Sequence, residues 1–232
     1  MKKIFFAAAW CLCISCSSGA QQKTIDANSF ESEMKVADVQ LLDVRTAGEY
    51  KNGHIKNALL ADWTNKTEFE ERTKYLNKTK PLLLYCASGV RSAQAAAWLS
   101  EKGFTNVSNL NGGFIRWKQE NKLFEATNAV KQITAVEYNE AIKNSGNALV
   151  LVDFGAVWCP PCKKMEPVIT QLVNEETGKF ALMKADADAH TDMMSTLHIN
   201  ALPTFIFYKN GAEVWRKEGI ATIEDFKKAL TL

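Results

Sequence analysis

Two cysteines separated by two residues are the clearest chemical feature of this chain. They lie in the sequence Trp158-Cys159-Pro160-Pro161-Cys162-Lys163. Two thiols at this spacing can close a small ring, so the pair can alternate between dithiol and disulfide. Structural zinc would need four ligands, and this half of the chain has no second Cys/His pair at ligand spacing. Covalent haem attachment would need His directly after the second cysteine, where this chain has Lys163.

The elements around this motif should place the first sulfur at the start of a helix. The apolar run 148–154 predicts a buried strand, and the segment 163–177 predicts a helix. Cys159 would then lie where strand gives way to helix, with the positive end of the helix dipole directed at its sulfur. Such settings lower a cysteine pKa from about 8.5 into the range ~3.5–7.5, which favours the thiolate that attacks disulfides.

Three motifs in this half of the chain resemble the thioredoxin family in their order and spacing. They are Val152-Asp153-Phe154, Trp158-Cys159-x-x-Cys162-Lys163 and Leu202-Pro203-Thr204. The resemblance implies a thioredoxin fold over residues 128–232, with a redox-active Cys159–Cys162 disulfide. Cys159 would be the attacking thiol, as the cysteine nearer to solvent, and Cys162 would resolve the mixed disulfide.

The same resemblance assigns roles to residues outside the cysteine motif. Asp153 would handle the proton of the buried cysteine, with Lys184 as its partner. Pro203 would be a cis-proline, and Leu202 before it would present its backbone to a bound peptide. Trp158 would shield the disulfide on one side. Each of these residues stands at the matching position of this chain.

The two residues between the cysteines leave the direction of electron flow open. Neither Pro160 nor Pro161 has an N–H to offer the first sulfur, so stabilisation of a thiolate must come from the helix dipole and from Cys162. Strongly reducing thioredoxins have glycine at the first of these positions. Reduction, oxidation and isomerisation of substrate disulfides therefore all stay open.

A third cysteine, Cys86, directly follows the apolar strand predicted for residues 81–85. After it come a short loop and the start of a helix at Ser92; the loop residues are Ala87, Ser88, Gly89, Val90 and Arg91. Successive N–H groups in such a loop can turn inward as an anion site, helped by the helix N-terminus and the Arg91 side chain. A sulfur at its centre would be held as thiolate or persulfide. The alternative is an inert buried cysteine at the end of a strand.

Five motifs in this half resemble a single rhodanese domain. They are Leu42-Asp43-Val44-Arg45, Glu49-Tyr50, Gly53-His54-Ile55, the loop Cys86–Arg91, and Leu110-Asn111-Gly112-Gly113-Phe114-x-x-Trp117. The resemblance implies such a domain over residues 24–125, with Cys86 as the sulfur-accepting nucleophile and the loop 87–91 as its cradle. In the family the motif that contains His54 is structural, so the resemblance implies that His54 packs and does not take part in catalysis. Arg91 follows Cys86 by five positions, where phosphatases and arsenate-type enzymes have six, so the smaller ring favours sulfur transfer over phosphoryl chemistry.

The length of 232 residues and the alternation of strands and helices predict two α/β domains. The first should have a parallel sheet covered on both faces, and the second a mixed sheet. A short polar connection, Glu120–Asn128, would join them. Thr134 and Thr222 should cap helices in the second domain, and Asn210-Gly211 should turn a hairpin.

Charge and composition restrict the partners. The chain has 28 basic and 26 acidic residues and no basic stripe, which argues against nucleic acid and anionic membrane surfaces. We expect protein thiols and disulfides, small sulfur compounds and a redox partner protein as partners. We expect no metal and no cofactor. His190 and His198 are expected to be ordinary surface or satisfied polar residues.

Residues 1–20 have the pattern of an export signal. Lys2 and Lys3 precede an apolar stretch too short to span a bilayer as a helix. Cleavage after Ala20 would release a soluble protein, whereas cleavage before Cys16 would leave that cysteine lipidated as the single membrane anchor. Both routes predict a periplasmic or outer-envelope location. The remaining thiols would be Cys86, Cys159 and Cys162.

The sequence thus predicts an exported thiol–disulfide oxidoreductase fused to a sulfurtransferase domain with a persulfide-forming Cys86. One alternative makes the chain chiefly a thiosulfate or persulfide sulfurtransferase, with the second domain as its reductant. Another makes the first domain an inactive docking module. The physiological substrate and the oligomeric state stay open.

Overall fold

The computed structural model describes residues 21–126, 133–146 and 148–231 of the chain. The predicted export signal 1–20, with Cys16, lies outside these residues, as does the end of the predicted connection. Within the described ranges two separate sheets form, and no helix there has the length and apolar character needed to cross a membrane.

The described part of the N-terminal half forms a five-stranded sheet in the order β1-β5-β4-β2-β3, and all its strand pairs are parallel, as predicted for this sheet. Its strands are β1 (Gln21–Ile25), β2 (Gln40–Asp43), β3 (Leu59–Leu60), β4 (Leu82–Tyr85) and β5 (Asn106–Leu110). The helices of this half are α1 (Ala27–Glu33), α2 (Ala47–Lys51), α3 (Lys66–Thr73), α4 (Val90–Glu101) and α5 (Gly113–Gln119).

Apolar side chains cover both faces of this sheet. All residues of β4 are buried, and their side chains alternate between two core clusters. Leu82 and Leu84 join the cluster that includes Phe69 of α3, whereas Leu83 and Tyr85 join the cluster on the opposite face. A strand buried on both faces fixes the position of the residue that follows it, which is Cys86.

The described part of the C-terminal half forms a four-stranded sheet in the order β7-β6-β8-β9, and this sheet is mixed, as predicted. Its strands are β6 (Leu149–Gly155), β7 (Ala181–Asp186), β8 (Thr204–Lys209) and β9 (Ala212–Glu218). The helices of this half are α6 (Ala135–Lys143), α7 (Pro160–Glu175), α8 (Thr191–Thr196) and α9 (Ile223–Ala229).

The two helix caps and the hairpin turn predicted for this half are confirmed. Thr134 and Thr222 each accept a hydrogen bond from the backbone N–H three residues on, and both form full capping boxes. Asn210 and Gly211 turn the β8–β9 hairpin with φ of 52° and 82°. Helix α7 begins three residues earlier than predicted, because its first-turn prolines need no N–H partner there.

Strand β1 and helix α1 are elements that the sequence did not predict. Strand β1 has the sequence QQKTI, so it lacks an apolar run, and it pairs only with β5 at the edge of the sheet. The expected domain start at residue 24 falls inside it. At the other end of this domain, Glu125 pairs with His54 in an antiparallel bridge, so part of the expected connection packs on the first domain.

The two domains meet at the free edge of β3. The Leu60 N–H donates a hydrogen bond to the Trp158 carbonyl at 2.8 Å, and on the other side of the strand Asp43 pairs with Leu60. The loop before α7 therefore continues the N-terminal sheet by one residue. This contact brings the cysteine motif against the first domain.

Candidate functional site

The cysteine motif begins in the loop after β6 and continues into the first turn of α7. Cys159 and Cys162 form a disulfide, with their Cα atoms 5.2 Å apart. Cys159 is the N-cap of α7, and its sulfur accepts a hydrogen bond from the Cys162 N–H at 3.2 Å. The first sulfur is thus placed where a helix dipole and one backbone N–H can stabilise a thiolate.

The expectation that Cys159 lies nearer to solvent is wrong for this structure. Cys159 is only 2% exposed, whereas Cys162 is half-buried. The cover over Cys159 comes partly from the first domain, because α3 forms one wall of the cleft that Cys159 lines. Sequence spacing within the motif carries no information about this neighbour.

Asp153 lies on β6 close to the second cysteine. Both residues line a small pocket of about 230 Å³ together with Lys184, which pairs with Asp153 across β6 and β7. Burial raises the pKa of the Asp153 carboxyl to about 6; Lys184 opposes the shift, and Glu166 adds to it. The structure therefore brings together the carboxylate, the lysine and the second cysteine, and the carboxyl can exchange a proton near neutral pH.

Asp153→Asn is expected to stabilise the oxidised protein above pH 6. The raised pKa means that the folded state binds this proton more tightly than the unfolded chain, so stability falls as the pH rises from about 4 to about 6 and the loss is complete above about 6. The variant should gain about 1–3 kcal/mol in the free energy of unfolding at pH 8 and nothing near pH 4. Urea unfolding at both pH values measures this, with the exposed Glu140→Gln as control. A gain that does not vary with pH would contradict this assignment.

The expected cis bond is present on the side of the motif where a peptide was expected to bind. The Leu202–Pro203 peptide is cis, and Leu202 lines the same cleft of about 470 Å³ as Cys159. Trp158 also makes contacts outside the motif. Its ring packs against the N-terminal core cluster and lies 4.9 Å from the Arg72 guanidinium. Trp158 therefore joins the two domains.

Cys86 ends β4 and is held inside its loop. It is fully buried, and its sulfur accepts a hydrogen bond from the Gly89 N–H at 3.1 Å. Burial acts to raise the pKa of the Cys86 thiol, but the Ser92 hydroxyl and the N–H groups of Ser92, Ser88 and Gly89 lower it below its ordinary value. Among the described residues the buried Ser92 hydroxyl has no other partner, so it is free to donate to this sulfur.

Helix α5 sets the orientation of this loop. The N–H groups of Phe114 and Ile115 donate to the carbonyls of Cys86 and Ala87 at 2.8 and 3.0 Å. With these carbonyls turned towards α5, the loop N–H groups face the sulfur. Gly113 permits this contact, since a Cβ there would lie 2.4 Å from the Cys86 carbonyl oxygen.

The remaining cradle residues lie on the rim of the loop. Ala87 is half-buried, whereas Ser88 and Val90 are exposed. Arg91 forms two hydrogen bonds to Glu49 of α2, at 2.9 and 2.6 Å. This Arg91 contact lowers the pKa of Glu49 to about 2. The Glu49 carboxylate therefore fixes the Arg91 side chain. Sequence reasoning placed Glu49 in a motif but gave it no role.

Comparison with known proteins agrees with this two-site arrangement. Residues 129–231 match the thioredoxin family model, and residues 26–120 match the model of the rhodanese-like domain. Thioredoxin of Ictalurus punctatus is 41% identical over 78 residues, which are 33% of this chain and 73% of the relative. Thioredoxin-2 of Saccharomyces cerevisiae is 42% identical over 86 residues, 37% of this chain and 81% of the relative. The chain belongs to the thioredoxin family.

Its N-terminal half is a rhodanese-like domain in the same chain. A further relative, tRNA uridine(34) hydroxylase of Cytophaga hutchinsonii, is 37% identical over 97 residues, covering 41% of this chain and 31% of that protein. The two domains together support redox and sulfurtransferase-type chemistry.

The histidines of this thioredoxin-family protein are not among the described residues that line the two pockets beside Cys159 and Cys162. His54 is buried and stacks on Tyr50 with ring centroids 3.7 Å apart, which is a packing role as expected. His190 is buried, and its Nδ1 lies 2.8 Å from the Asp186 carbonyl. His198 is exposed.

Sequence reasoning missed two residues of the sites. Ser92 follows the cradle arginine in the first turn of α4, and a hydroxyl at that position was the available signal. Arg72 of α3 lies against Trp158, yet 86 positions separate the two residues in the sequence. No local pattern points to a contact of that kind.

Proposed function

We propose that this chain is a thiol–disulfide oxidoreductase whose Cys159/Cys162 dithiol reduces a persulfide formed on Cys86. The main support is that the loop before Cys159 and the loop of Cys86 both lie at the carboxyl ends of strands of the N-terminal sheet. Trp158, next to Cys159, is hydrogen-bonded to the end of β3, and Cys86 follows the end of β4. Strands β3 and β4 lie on either side of β2, two strand spacings or about 10 Å apart.

The proposed sequence starts with the loading of Cys86. Its thiolate attacks the outer sulfur of thiosulfate, the S–S bond of thiosulfate breaks, and sulfite leaves. The product is a persulfide, with a sulfur at the oxidation level of the element. The inward N–H groups of the loop and the Ser92 hydroxyl would stabilise the charge on this sulfur.

The second domain then supplies two electrons. The Cys159 thiolate attacks the outer sulfur of the persulfide, and Cys86 leaves as thiolate. Cys162 next attacks the Cys159 sulfur, hydrosulfide leaves, and the Cys159–Cys162 disulfide forms. The sulfur is reduced to sulfide and the dithiol is oxidised, and Asp153 takes the proton of Cys162 and passes it to the departing sulfur, which leaves as hydrosulfide. A thiol-bearing redox partner must restore the dithiol.

The relay is tested by measuring sulfide release from thiosulfate with pre-reduced protein. The intact chain should release sulfide, and both Cys86→Ser and Cys159→Ser should reduce the rate by at least about a hundredfold, since each removes a nucleophile. Equal rates for the intact chain and Cys159→Ser would remove the relay. The fused arrangement keeps the two sites at an effective concentration on the order of mM.

The complete burial of Cys86 favours a second candidate, in which the rhodanese-like domain is a docking module. A persulfide-selective alkylating reagent distinguishes the two functions. Labelling of Cys86 after incubation with thiosulfate supports the sulfurtransferase step, whereas an inert Cys86 supports docking.

We also propose that the chain is exported, on the basis of the charged and apolar pattern of residues 1–20. Cell fractionation with mass measurement of the mature N-terminus tests this. A first residue of Gln21 would support the soluble form, and a lipidated Cys16 would support the anchored form. An uncleaved chain in the cytoplasm would contradict export.

A further inference from the structure

The substrate side of the thioredoxin domain faces the rhodanese-like domain across a cleft of about 470 Å³. Cys159 and Leu202 line one side of this cleft. The other side is helix α3 and the residues just after it, including Arg72 and Tyr75. A substrate that reaches the attacking sulfur must therefore pass between two domains of the same chain.

Trp158 is the centre of the contact that closes this cleft. Its carbonyl accepts from the Leu60 N–H at 2.8 Å, and its ring packs on the core cluster of the rhodanese-like domain. Its indole N–H donates to Asp188 at 2.9 Å, and Asp188 also forms an ion pair with Lys51 of α2 at 3.4 Å. The residue next to the attacking cysteine is thus attached to both domains.

Arg72 holds α3 against this tryptophan. Its guanidinium lies 4.9 Å from the Trp158 ring centroid, which is a cation–π contact. It also donates to the Leu60 carbonyl at 3.0 Å and pairs with Glu68 at 2.9 Å. One side chain therefore connects the wall of the cleft, the edge strand β3 and the active-site loop.

We propose that α3 is a specificity wall, which admits disulfides carried on extended, cysteine-containing polypeptide segments and excludes disulfides on folded surfaces. A volume of about 470 Å³ suits a short segment, since sites of roughly 300–1,000 Å³ take ligands of drug size. The backbone of Leu202 makes no hydrogen bond among the described residues, so it can pair with an extended segment. A folded protein cannot approach Cys159, which is 2% exposed, while Arg72 keeps the wall in place.

This inference rests on the proposed disulfide chemistry and extends it to a substrate class. The probe is a mixed disulfide between a cysteine and the chromophore 2-nitro-5-thiobenzoate. Cys159 attacks the cysteine sulfur, the coloured thiolate leaves, and Cys162 then displaces the cysteine thiolate as the internal disulfide forms. One probe carries this cysteine in a short linear peptide, and the other carries it on the helix surface of a stable folded protein.

The pre-reduced full-length chain should react with the peptide at least about tenfold faster than with the folded probe. Arg72→Ala should raise the rate with the folded probe about tenfold, the effect expected for losing one cation–π contact and one hydrogen bond. Its rate with the peptide should rise less than its rate with the folded probe, so the ratio of the two rates should fall. Lys51→Ala, at a half-exposed surface position, should shift the ratio of rates in the same direction but less.

Lys78→Ala is the matched control, because the exposed Lys78 also combines a cation–π contact, with Phe104, and a hydrogen bond, to the Lys102 carbonyl, and it lies outside α3 and does not line the cleft. It should leave both rates unchanged. A ratio near one in the wild-type chain, or a ratio that neither Arg72→Ala nor Lys51→Ala changes, would overturn the specificity wall while leaving the disulfide chemistry intact. No colour from either probe would overturn the proposed function itself.

Discussion

Cys159→Ser is expected to slow disulfide exchange with a peptide substrate by at least about a thousandfold, because it removes the sulfur that attacks the substrate. Cys159 caps α7, and its sulfur accepts the Cys162 N–H, so the thiolate has its stabilising partners in place. A serine hydroxyl at this position can still cap α7, but it stays protonated at neutral pH and therefore does not attack the disulfide. The rate is measured with the pre-reduced chain and the chromophoric peptide disulfide described above.

Cys162→Ser should give a different result from Cys159→Ser. The first step then proceeds, but no second thiol displaces the substrate, so a covalent adduct on Cys159 should accumulate and be visible by mass spectrometry. Adducts on Cys162 in the Cys159→Ser chain would reverse the assigned roles. This reversed outcome needs to be tested, because Cys162 is the more exposed of the two cysteines in this structure.

Gly113→Ala is expected to disrupt the Cys86 loop. A Cβ at this position would lie 2.4 Å from the Cys86 carbonyl and 2.7 Å from the Gly89 nitrogen, both rigid backbone atoms, and φ there is +58°. The overlap should cost about 2–4 kcal/mol of the stability of the rhodanese-like domain. It should also abolish thiosulfate-dependent labelling of Cys86, because the loop N–H groups would no longer face the sulfur.

The matched control is Gly48→Ala in helix α2. A Cβ at Gly48 meets nothing within 4 Å, and alanine is favoured over glycine inside a helix by about 0.5–1 kcal/mol. Calorimetry of both variants should therefore show opposite shifts in the unfolding temperature. Equal shifts, or normal labelling of Cys86 in Gly113→Ala, would contradict the role given to α5 in shaping the loop.

The sites themselves were accessible to sequence reasoning because each follows a strongly apolar strand. Strands 82–85 and 149–155 coincide with runs of residues that are apolar enough to be recognised in the sequence. The cysteines that follow these runs were therefore expected at the ends of strands. Helix caps at Thr134 and Thr222 were equally local, since each depends on residues three positions apart. Signals of this kind are complete within a few residues.

The features that sequence reasoning missed depend on distant partners. The polar strand β1 is defined by its pairing with β5, and nothing in QQKTI marks it as part of a sheet. Cys159 is covered in part by α3, a helix of the neighbouring domain. Arg91 donates to the Glu49 carboxylate on α2. Each outcome was decided by tertiary contacts, which local patterns do not encode.

The relay from Cys86 to the dithiol is tested most directly by a single turnover. Pre-reduced protein receives one equivalent of thiosulfate, and the released sulfide and the thiol state of each cysteine are followed together by mass spectrometry. The account predicts one Cys159–Cys162 disulfide for each sulfide released, with Cys86 returned to the free thiol. A persulfide that persists on Cys86 while Cys159 and Cys162 stay reduced would contradict it.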